Sequence, residues 1–216
     1  MQAYVPRRGP KFDQVWSASD WLRMLQELGV ASMTAAQWAE HFAEEVQPAA
    51  FSAGMADVQP FVTTFLHETG MLKRLAENMN YSAERIREVW PSRFRSIEAA
   101  RPYERNPRAL ANKVYGRRMG NTQPDDGFNF RGRASGITGR TNYTWLGDQW
   151  GQDLLSMPDL LEHPGFALQG SRCAWEGLLP DSALSDQVKV RKIYNGGVIG
   201  LEHCLELHAL SCKVVV

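Results

Sequence analysis

The sequence predicts a mainly α-helical protein. Apolar residues recur at helical spacing along most of the 216-residue chain, and serine, asparagine, glycine and proline stand where helices should begin or end. Strand signals are weak and are confined to brief pieces near residues 128–130 and 136–138. The chain shows neither an internal repeat nor a low-complexity tract. We therefore expect one mainly α domain over residues 31–216, preceded by an N-terminal extension, residues 1–30, that holds one short helix.

The helices of the first part of the chain are indicated by their end signals. Residues 1 to about 15 carry proline and arginine and are expected to be extended, and the next helix is predicted over residues 17–28. The TAAQ segment at 34–37 fits a capping box, and the helix that follows is expected to end at Pro48. Residues 49–56 are small and read as a loop.

Later helices follow the same signals. Ser82 is suited to cap one helix, and the Asn-Pro pair at 106–107 predicts the start of another that Gly116 ends. Residues 117–140 are rich in glycine and arginine without helical periodicity, and a loop of that length inside a compact domain is usually functional or disordered. Four more helices are predicted, over residues 153–162, 165–177, 182–194 and 200–213.

Two acidic residues stand out in the stretch 61–90. The helix that opens this stretch has apolar residues along one side and ends in His67 and Glu68, and Glu77 follows nine residues later. In one unbroken helix the two acids would be separated by about 13.5 Å of rise and would point to opposite sides. Gly70 predicts a break that allows both carboxyl groups to reach one cleft. By spacing alone, a surface acid and an unrelated loop acid remain an alternative.

Composition excludes several classes of protein. Lys plus Arg and Asp plus Glu both number 24, so a general nucleic-acid binder is not expected. No stretch approaches the roughly 18 apolar residues needed to span a bilayer, and no apolar run follows the N-terminus as a secretory signal would require. The three cysteines, Cys173, Cys204 and Cys212, match no metal-site spacing and indicate a reducing compartment. We expect a protein made in the cytoplasm.

Six motifs in register resemble one known family. They are HETG at 67–70, ENMNYSAERI at 77–86, NPRALANKVYGRRMGN at 106–121, DGFNFRGR at 126–133, ITGRTNY at 137–143 and YNGG at 194–197. Over roughly residues 34–200 the chain is similar to the family 19 glycoside hydrolases, and specifically to their bacteriophage endolysin branch, which is related to plant chitinases.

The resemblance implies a fold and a chemistry. The fold is a lysozyme-like, two-lobed α domain with a central cleft, and the reaction is inverting hydrolysis of β-1,4 glycosidic bonds without a metal or other cofactor. Carried over by position, Glu68 is the general acid, Glu77 is the general base, and Thr138 helps to hold the attacking water. The substrate-binding side chains are expected to be His67, Tyr81, Arg131, Asn142 and Asn195.

Several of these residues have a simpler alternative role. His67 can be a structural hydrogen-bonding group, Thr138 can cap a turn, and Asn195 can serve the tight turn that its two following glycines predict. For the two acids, burial behind apolar residues is expected to favour the protonated form of Glu68. Glu77 lies in a polar stretch that is expected to keep it ionised.

The chain departs from the family pattern at positions that bear on activity. Thr64 replaces a glutamine, Gly136 stands where the family has a substrate-contacting glutamine, and Cys204 stands near the position of an arginine that supports the two acids. Loss of that arginine removes one control on the carboxyl groups, unless another arginine substitutes for it.

The expected function is that of an endolysin-type glycosidase that cuts the glycan strands of bacterial peptidoglycan. It would act as a monomer, without membrane insertion, and would stay in the cytoplasm of its bacterial host until release to the wall. Two alternatives remain: a chitinase acting on N-acetylglucosamine polymers, and a catalytically weakened glycan-binding protein.

Overall fold

A computed structural model describes residues 15–216, and the fold is mainly α, as predicted. Eleven α-helices occur in that range, joined by short 3₁₀ segments. They are α1 Ala18–Glu27, α2 Ser32–Glu45, α3 Met55–Glu68, α4 Ala83–Val89, α5 Ile97–Ala100, α6 Pro107–Tyr115, α7 Asp126–Asn129, α8 Arg140–Trp150, α9 Pro164–Leu178, α10 Gln187–Asn195 and α11 Leu201–Val214. None of the helices in the described range is both long and apolar enough to cross a membrane.

The helices form two lobes, each with its own hydrophobic core. The large lobe gathers side chains from α1, α2, α3 and α8–α11, and Phe61, Phe65 and Trp175 lie at its centre in ring contact. The small lobe consists of α4, α5 and α6 around Ile86, Phe94 and the other residues of a separate cluster. Two cores divided by a polar region are what a cleft between lobes requires.

Helix α1 packs on the large lobe. Trp21, Met24 and Leu25 are fully buried against α2 and its neighbours, and Trp16, just before the helix, is buried with them. Burial of a Trp or Leu side chain contributes about 1.5–3 kcal/mol, so this helix adds to the stability of the lobe. Residues 1–14, predicted to be extended, lie outside the described residues, and the domain division at residue 30 stays a prediction.

Two predicted helix caps are confirmed. Ser82 and Asn106 accept a hydrogen bond from the backbone N–H three residues on, which satisfies one of the free amides of the first helical turn. Ser17, where a helix was predicted to begin, caps α1 in the same way. In each case the cap is a local interaction that the sequence alone specifies.

Other local predictions are wrong. The helix predicted from the capping box at 34–37 begins earlier, at Ser32, with Ala31 as an N-cap that makes no side-chain bond. The strand expected near residues 128–130 is part of α7 and its cap. The helix expected over 153–162 is reduced to a 3₁₀ segment, Pro158–Glu162, because a proline within a helix removes a backbone donor.

Helix α8 was not predicted at all. It begins after Gly139 without a side-chain cap, and its interior includes Gly147, a poor helix former. Its helical state is set by packing, since Tyr143 and Leu146 are fully buried in the large lobe. Likewise α10 begins at Gln187, five residues after the predicted start, because Asp186 rather than an earlier residue caps it.

The predicted break after Glu68 is confirmed and extends over three residues. Gly70, Met71 and Leu72 all have positive φ angles, of 58°, 62° and 65°. Non-glycine residues pay roughly 1–2 kcal/mol each in this region, so neighbouring contacts must hold them there. The buried hydroxyl of Thr69 does so: it donates to the carbonyl of Phe65 at 2.7 Å and accepts from the amide of Leu72 at 3.1 Å. The chain is thereby turned out of α3 towards Glu77.

A very small β element joins the segment after this turn to the loop between α7 and α8. Arg133 forms antiparallel bridges with Ala76 and with Ile137, and the amide of Glu77 donates to the carbonyl of Gly132 at 2.8 Å. The strand piece expected near residues 136–138 is thus a single bridge at Ile137. This pairing fixes the position of Glu77 relative to the 132–138 hairpin.

Candidate active site

A cavity of 370 Å³ brings together residues from both sides of the turn. Five of the predicted site residues line it: Glu68, Glu77, Tyr81, Thr138 and Asn195. The remaining lining comes from Arg74, Leu75, Ala76, Asn78, Tyr115, Gly132, Ala134 and Gly136. Both acids therefore line the same cavity.

Glu68 lies at the last position of α3 and is paired with an arginine from α10. Its Oε1 accepts a hydrogen bond from Nη1 of Arg191, and its side chain is 17% exposed while that of Arg191 is 4% exposed. A charge-assisted contact of this kind fixes the direction of the carboxyl group.

Arg191 is held in place by the backbone as well. Its Nε and Nη2 donate to the carbonyl of Ile199 at 2.9 and 2.6 Å, in the turn that joins α10 to α11. The sequence contained one signal for this residue: Arg191 lies at helical spacing with Gln187 and Tyr194, which are partly buried on the same face of α10. A charge on a buried face needs a partner, but the sequence did not identify Glu68 as that partner.

Glu77 is held from the small lobe. The hydroxyl of Tyr115, at the end of α6, lies 2.8 Å from both carboxyl oxygens of Glu77. Burial raises the pKa of Glu77, while the hydrogen bonds from Tyr115 and the backbone of Gly132 and the charge of Arg131 act in the opposite direction. Burial, with the neighbouring Glu77, also raises the pKa of Tyr115, which keeps its hydroxyl a donor. Tyr115 was not predicted as a site residue.

The surroundings of the two acids thus differ from the sequence-based expectation. Glu68, expected to be shielded by apolar residues, faces the guanidinium of Arg191. Glu77, expected to be in a polar setting, is the acid whose pKa burial raises. The reason is tertiary: the arginine and the tyrosine come from α10 and α6, which are distant in sequence.

The 132–138 hairpin lies against both acids. A Cβ atom at Gly132 would be 3.3 Å from Oγ1 of Thr138 and 3.6 Å from Oε2 of Glu77, so the hydroxyl and the carboxylate face the same small space. A Cβ atom at Gly136, where φ is 106°, would be 3.9 Å from Oε2 of Glu68. Glycine at 136 therefore leaves open the space next to Glu68.

Asn195 lies at the end of α10, next to a buried hydrogen-bond chain. The hydroxyl of the preceding Tyr194 bonds to Ser135 of the hairpin, and Ser135 donates to Ser171 of α9 at 2.7 Å. Helix α10 is therefore tied to the hairpin at the position where Asn195 enters the cavity. Tyr81 also lines the cavity, and its ring packs edge-on against Trp90, with ring centroids 5.5 Å apart.

Three predicted site residues do not line the cavity. His67 pairs with His203 of α11 through their Nδ1 atoms at 2.8 Å, and burial lowers its pKa. Arg131 donates to Glu162 at 2.9 Å and lies over the ring of Phe128. Asn142 donates to the carbonyl of Thr138 at 2.8 Å. Of the three, only Asn142 is hydrogen-bonded to a residue that lines the cavity.

Cys204 stands close to the pair that it was expected to weaken. It is buried on α11, and burial raises the pKa of its thiol. The guanidinium that is missing at position 204 is supplied by Arg191, from the preceding helix. The alternative that another arginine substitutes is therefore what the structure contains.

A helical two-lobed protein with two carboxylic acids in one cleft has the pair of groups that glycoside hydrolases use for catalysis. A scan of the chain against protein-family models finds no match. The chain is 30% identical over 145 residues to a Haemophilus influenzae protein described as a glycosyl hydrolase family 19 domain-containing protein, and the match spans 66% of this chain and 72% of that protein. The chain belongs to glycosyl hydrolase family 19.

Proposed function

We propose that this protein is an endolysin-type glycosidase that hydrolyses β-1,4 bonds in the glycan strands of bacterial peptidoglycan, with inversion at the sugar carbon. The observation that carries the proposal is that Glu68 and Glu77 line one cavity from opposite sides of a strained turn, each held by a separate side chain. Two carboxyl groups placed in this way can serve one glycosidic bond as acid and base.

In the proposed reaction Glu68 acts as the general acid. Its carboxyl group gives a proton to the glycosidic oxygen as the bond to the sugar carbon breaks, and the resulting carboxylate is stabilised by Arg191.

Glu77 acts as the general base. It takes a proton from a water molecule that is positioned between its Oε2 and the hydroxyl of Thr138, the two groups that face the same space beside Gly132. The water oxygen attacks the sugar carbon from the side opposite to the leaving group, which inverts its configuration. Asn195 and Tyr81 line the same cavity and are placed to contact the sugar rings.

Peptidoglycan rather than chitin is favoured by one feature of the cavity. Exposed Arg74 is among its lining residues. Chitin is an uncharged polymer, whereas the glycan strands of peptidoglycan carry acidic peptide substituents that an arginine can bind. In this proposal the protein accumulates in the host cytoplasm and acts after release, and the three free cysteines fit a reducing compartment.

The test is digestion of purified peptidoglycan, with mass analysis of the soluble fragments and parallel incubation with chitin oligomers. We expect new reducing ends from peptidoglycan, an inverted anomer by proton NMR soon after mixing, and no fragments from the Glu68→Gln variant. Efficient cleavage of chitin oligomers with intact walls would instead identify a chitinase. Wall binding without any new reducing end would identify a glycan-binding protein.

A further inference from the structure

Three potential metal ligands converge where α11 packs against α3, at the opposite end of α3 from Glu68. The Sγ of Cys212 lies 3.6 Å from Nε2 of His208 and 3.5 Å from Oε1 of Gln59. Cys212 and His208 are four residues apart on α11, so helical geometry places them on one face. Cys212 is exposed and can be reached from solvent.

The amide of Gln59 is oriented for this role. Its Nε2 donates to the carbonyl of Val215 at 2.9 Å, and this bond turns Oε1 towards the thiol. The three donor atoms are thus supplied by two helices whose packing already fixes their relative position. Thiolate, imidazole and a neutral carbonyl oxygen together suit a borderline metal ion such as Zn²⁺ better than Mg²⁺ or Ca²⁺.

The two distances from the sulfur of Cys212 agree with a tetrahedral centre. With metal bonds of about 2.3 Å to sulfur, 2.0–2.1 Å to nitrogen and 2.0–2.2 Å to oxygen, the edges from sulfur to the other two ligands are about 3.5–3.7 Å. Both measured separations fall at those values.

We propose that Cys212, His208 and Gln59 form a binding site for a Zn²⁺-class transition metal ion, with solvent as the fourth ligand. On binding, the S–H bond of Cys212 breaks, its proton passes to solvent, and the sulfur-metal bond forms in its place. Within residues 15–216 no group of three or more His, Cys, Asp or Glu side chains is placed to hold a metal ion, so this site depends on the amide of Gln59.

A bound ion would join α11 to α3. Because the unfolded chain does not hold the three ligands together, binding favours the folded protein and raises its melting temperature as metal concentration increases. This inference is independent of the catalytic proposal, since none of the three residues lines the cavity that contains Glu68 and Glu77.

Co²⁺ binding tests the site, because a thiolate ligand gives Co²⁺ an intense charge-transfer absorption that imidazole does not. We expect the purified full-length protein to show this absorption with one equivalent of Co²⁺, and Zn²⁺ to displace it. Cys212→Ser should abolish the absorption. His208→Ala should weaken Zn²⁺ binding by more than the roughly 10–100-fold that loss of an outer-shell partner costs.

Cys204→Ser is the matched control, since Cys204 lies on the same helix two turns earlier and is buried. It should retain the absorption, and His203→Ala should also retain it because the His67–His203 pair has no sulfur. Absence of the absorption in the wild-type protein, or its persistence in Cys212→Ser, would overturn the proposal. Circular dichroism of each variant confirms that the fold is intact.

Discussion

The guanidinium of Arg191 donates a hydrogen bond to the carboxylate of Glu68, across 123 positions of sequence. Arg191 is also bonded twice to the carbonyl of Ile199, so its position is set by the turn between α10 and α11. One side chain therefore links the acid at the end of α3 to the helix that delivers Asn195 to the cavity. We expect the site to depend on Arg191 although no motif includes it.

Replacement of Arg191 by alanine should lower kcat/KM by roughly 10²-fold, the loss that a misplaced catalytic group produces. Glu68 would lose both its counter-charge and its orientation. The measurement is initial-rate kinetics on soluble peptidoglycan fragments, with the thermal unfolding of each variant as a check on folding. Lys192→Ala, which removes an exposed cation from the next position of α10, should leave the rate within error. Equal losses in both variants would contradict a specific role for Arg191.

The assignment of acid and base can be tested with the leaving group. Glu68→Gln should retain activity on an aryl glycoside whose leaving group departs without a proton, while it loses activity on glycan. Glu77→Ala should be rescued by azide, which attacks without a base and gives a glycosyl azide of inverted configuration. Product analysis by NMR distinguishes the outcomes. The reversed pattern would exchange the two roles, and a retained configuration would exclude the inverting mechanism.

Tyr115 should control the pH dependence of kcat/KM through the pKa of Glu77. Burial raises the pKa of Glu77, so the ionised base is lost, and kcat/KM falls, as the pH drops through that raised value. Tyr115→Phe removes the hydroxyl that donates to the Glu77 carboxylate and favours its ionised form, so the pKa of Glu77 should rise further and the acidic limb of kcat/KM should move to higher pH. Tyr103→Phe, at a small-lobe tyrosine outside the cavity, is the control. If the acidic limb of the kcat/KM profile of Tyr115→Phe stays at the wild-type pH, this role of Tyr115 is refuted.

Arg74 should distinguish charged from uncharged glycans. Arg74→Gln is expected to raise KM for peptidoglycan fragments about 2–5-fold, the value of one exposed ion pair, and the effect should shrink in high salt. The KM for chitin oligomers should not change, since they carry no charge. Lys73→Gln, at the exposed neighbour that does not line the cavity, serves as the matched control. An equal change for both substrates would argue against an anion contact.

Asp126 should stabilise the loop that precedes the hairpin. It is 2% exposed and forms two hydrogen bonds with Arg140, which is 32% exposed, and it accepts from the amides of Thr122 and Gln123. Asp126→Asn should lower the free energy of unfolding by about 2–3 kcal/mol, somewhat less than for a fully buried pair. The measurement is urea denaturation at pH 7.

The difference in the free energy of unfolding between wild type and Asp126→Asn should depend on pH. The bonds to Arg140 lower the pKa of Asp126 below its usual 3.8, so its stabilising effect is present above that pH and is lost as the pH falls through the lowered value. The difference in free energy of unfolding between wild type and Asp126→Asn should therefore become smaller at acidic pH. Glu88→Gln, which breaks the exposed pair with Arg85, should have little effect at any pH. A gap that widened in acid would contradict the assignment.

Local sequence signals predicted much of the fold and part of the site. The caps at Ser82 and Asn106 and the break at Gly70 depend on contacts within a few residues, and all were correctly placed. Helix α8 was missed because it has no cap and owes its helical state to burial. The five cavity-lining predictions came from motif order rather than from any contact that the sequence could display.

The sequence by itself determined the helical class, the family resemblance and the pair of acids on either side of the turn at Gly70. These features depend on residue type and short spacing. Only the tertiary structure decided what surrounds each acid. Arg191 and Tyr115 reach Glu68 and Glu77 from α10 and α6, and such partners are selected by the packing of distant helices. For the same reason the arginine expected near position 204 could move to another helix, since a carboxylate requires a nearby positive charge and not a particular place in the chain.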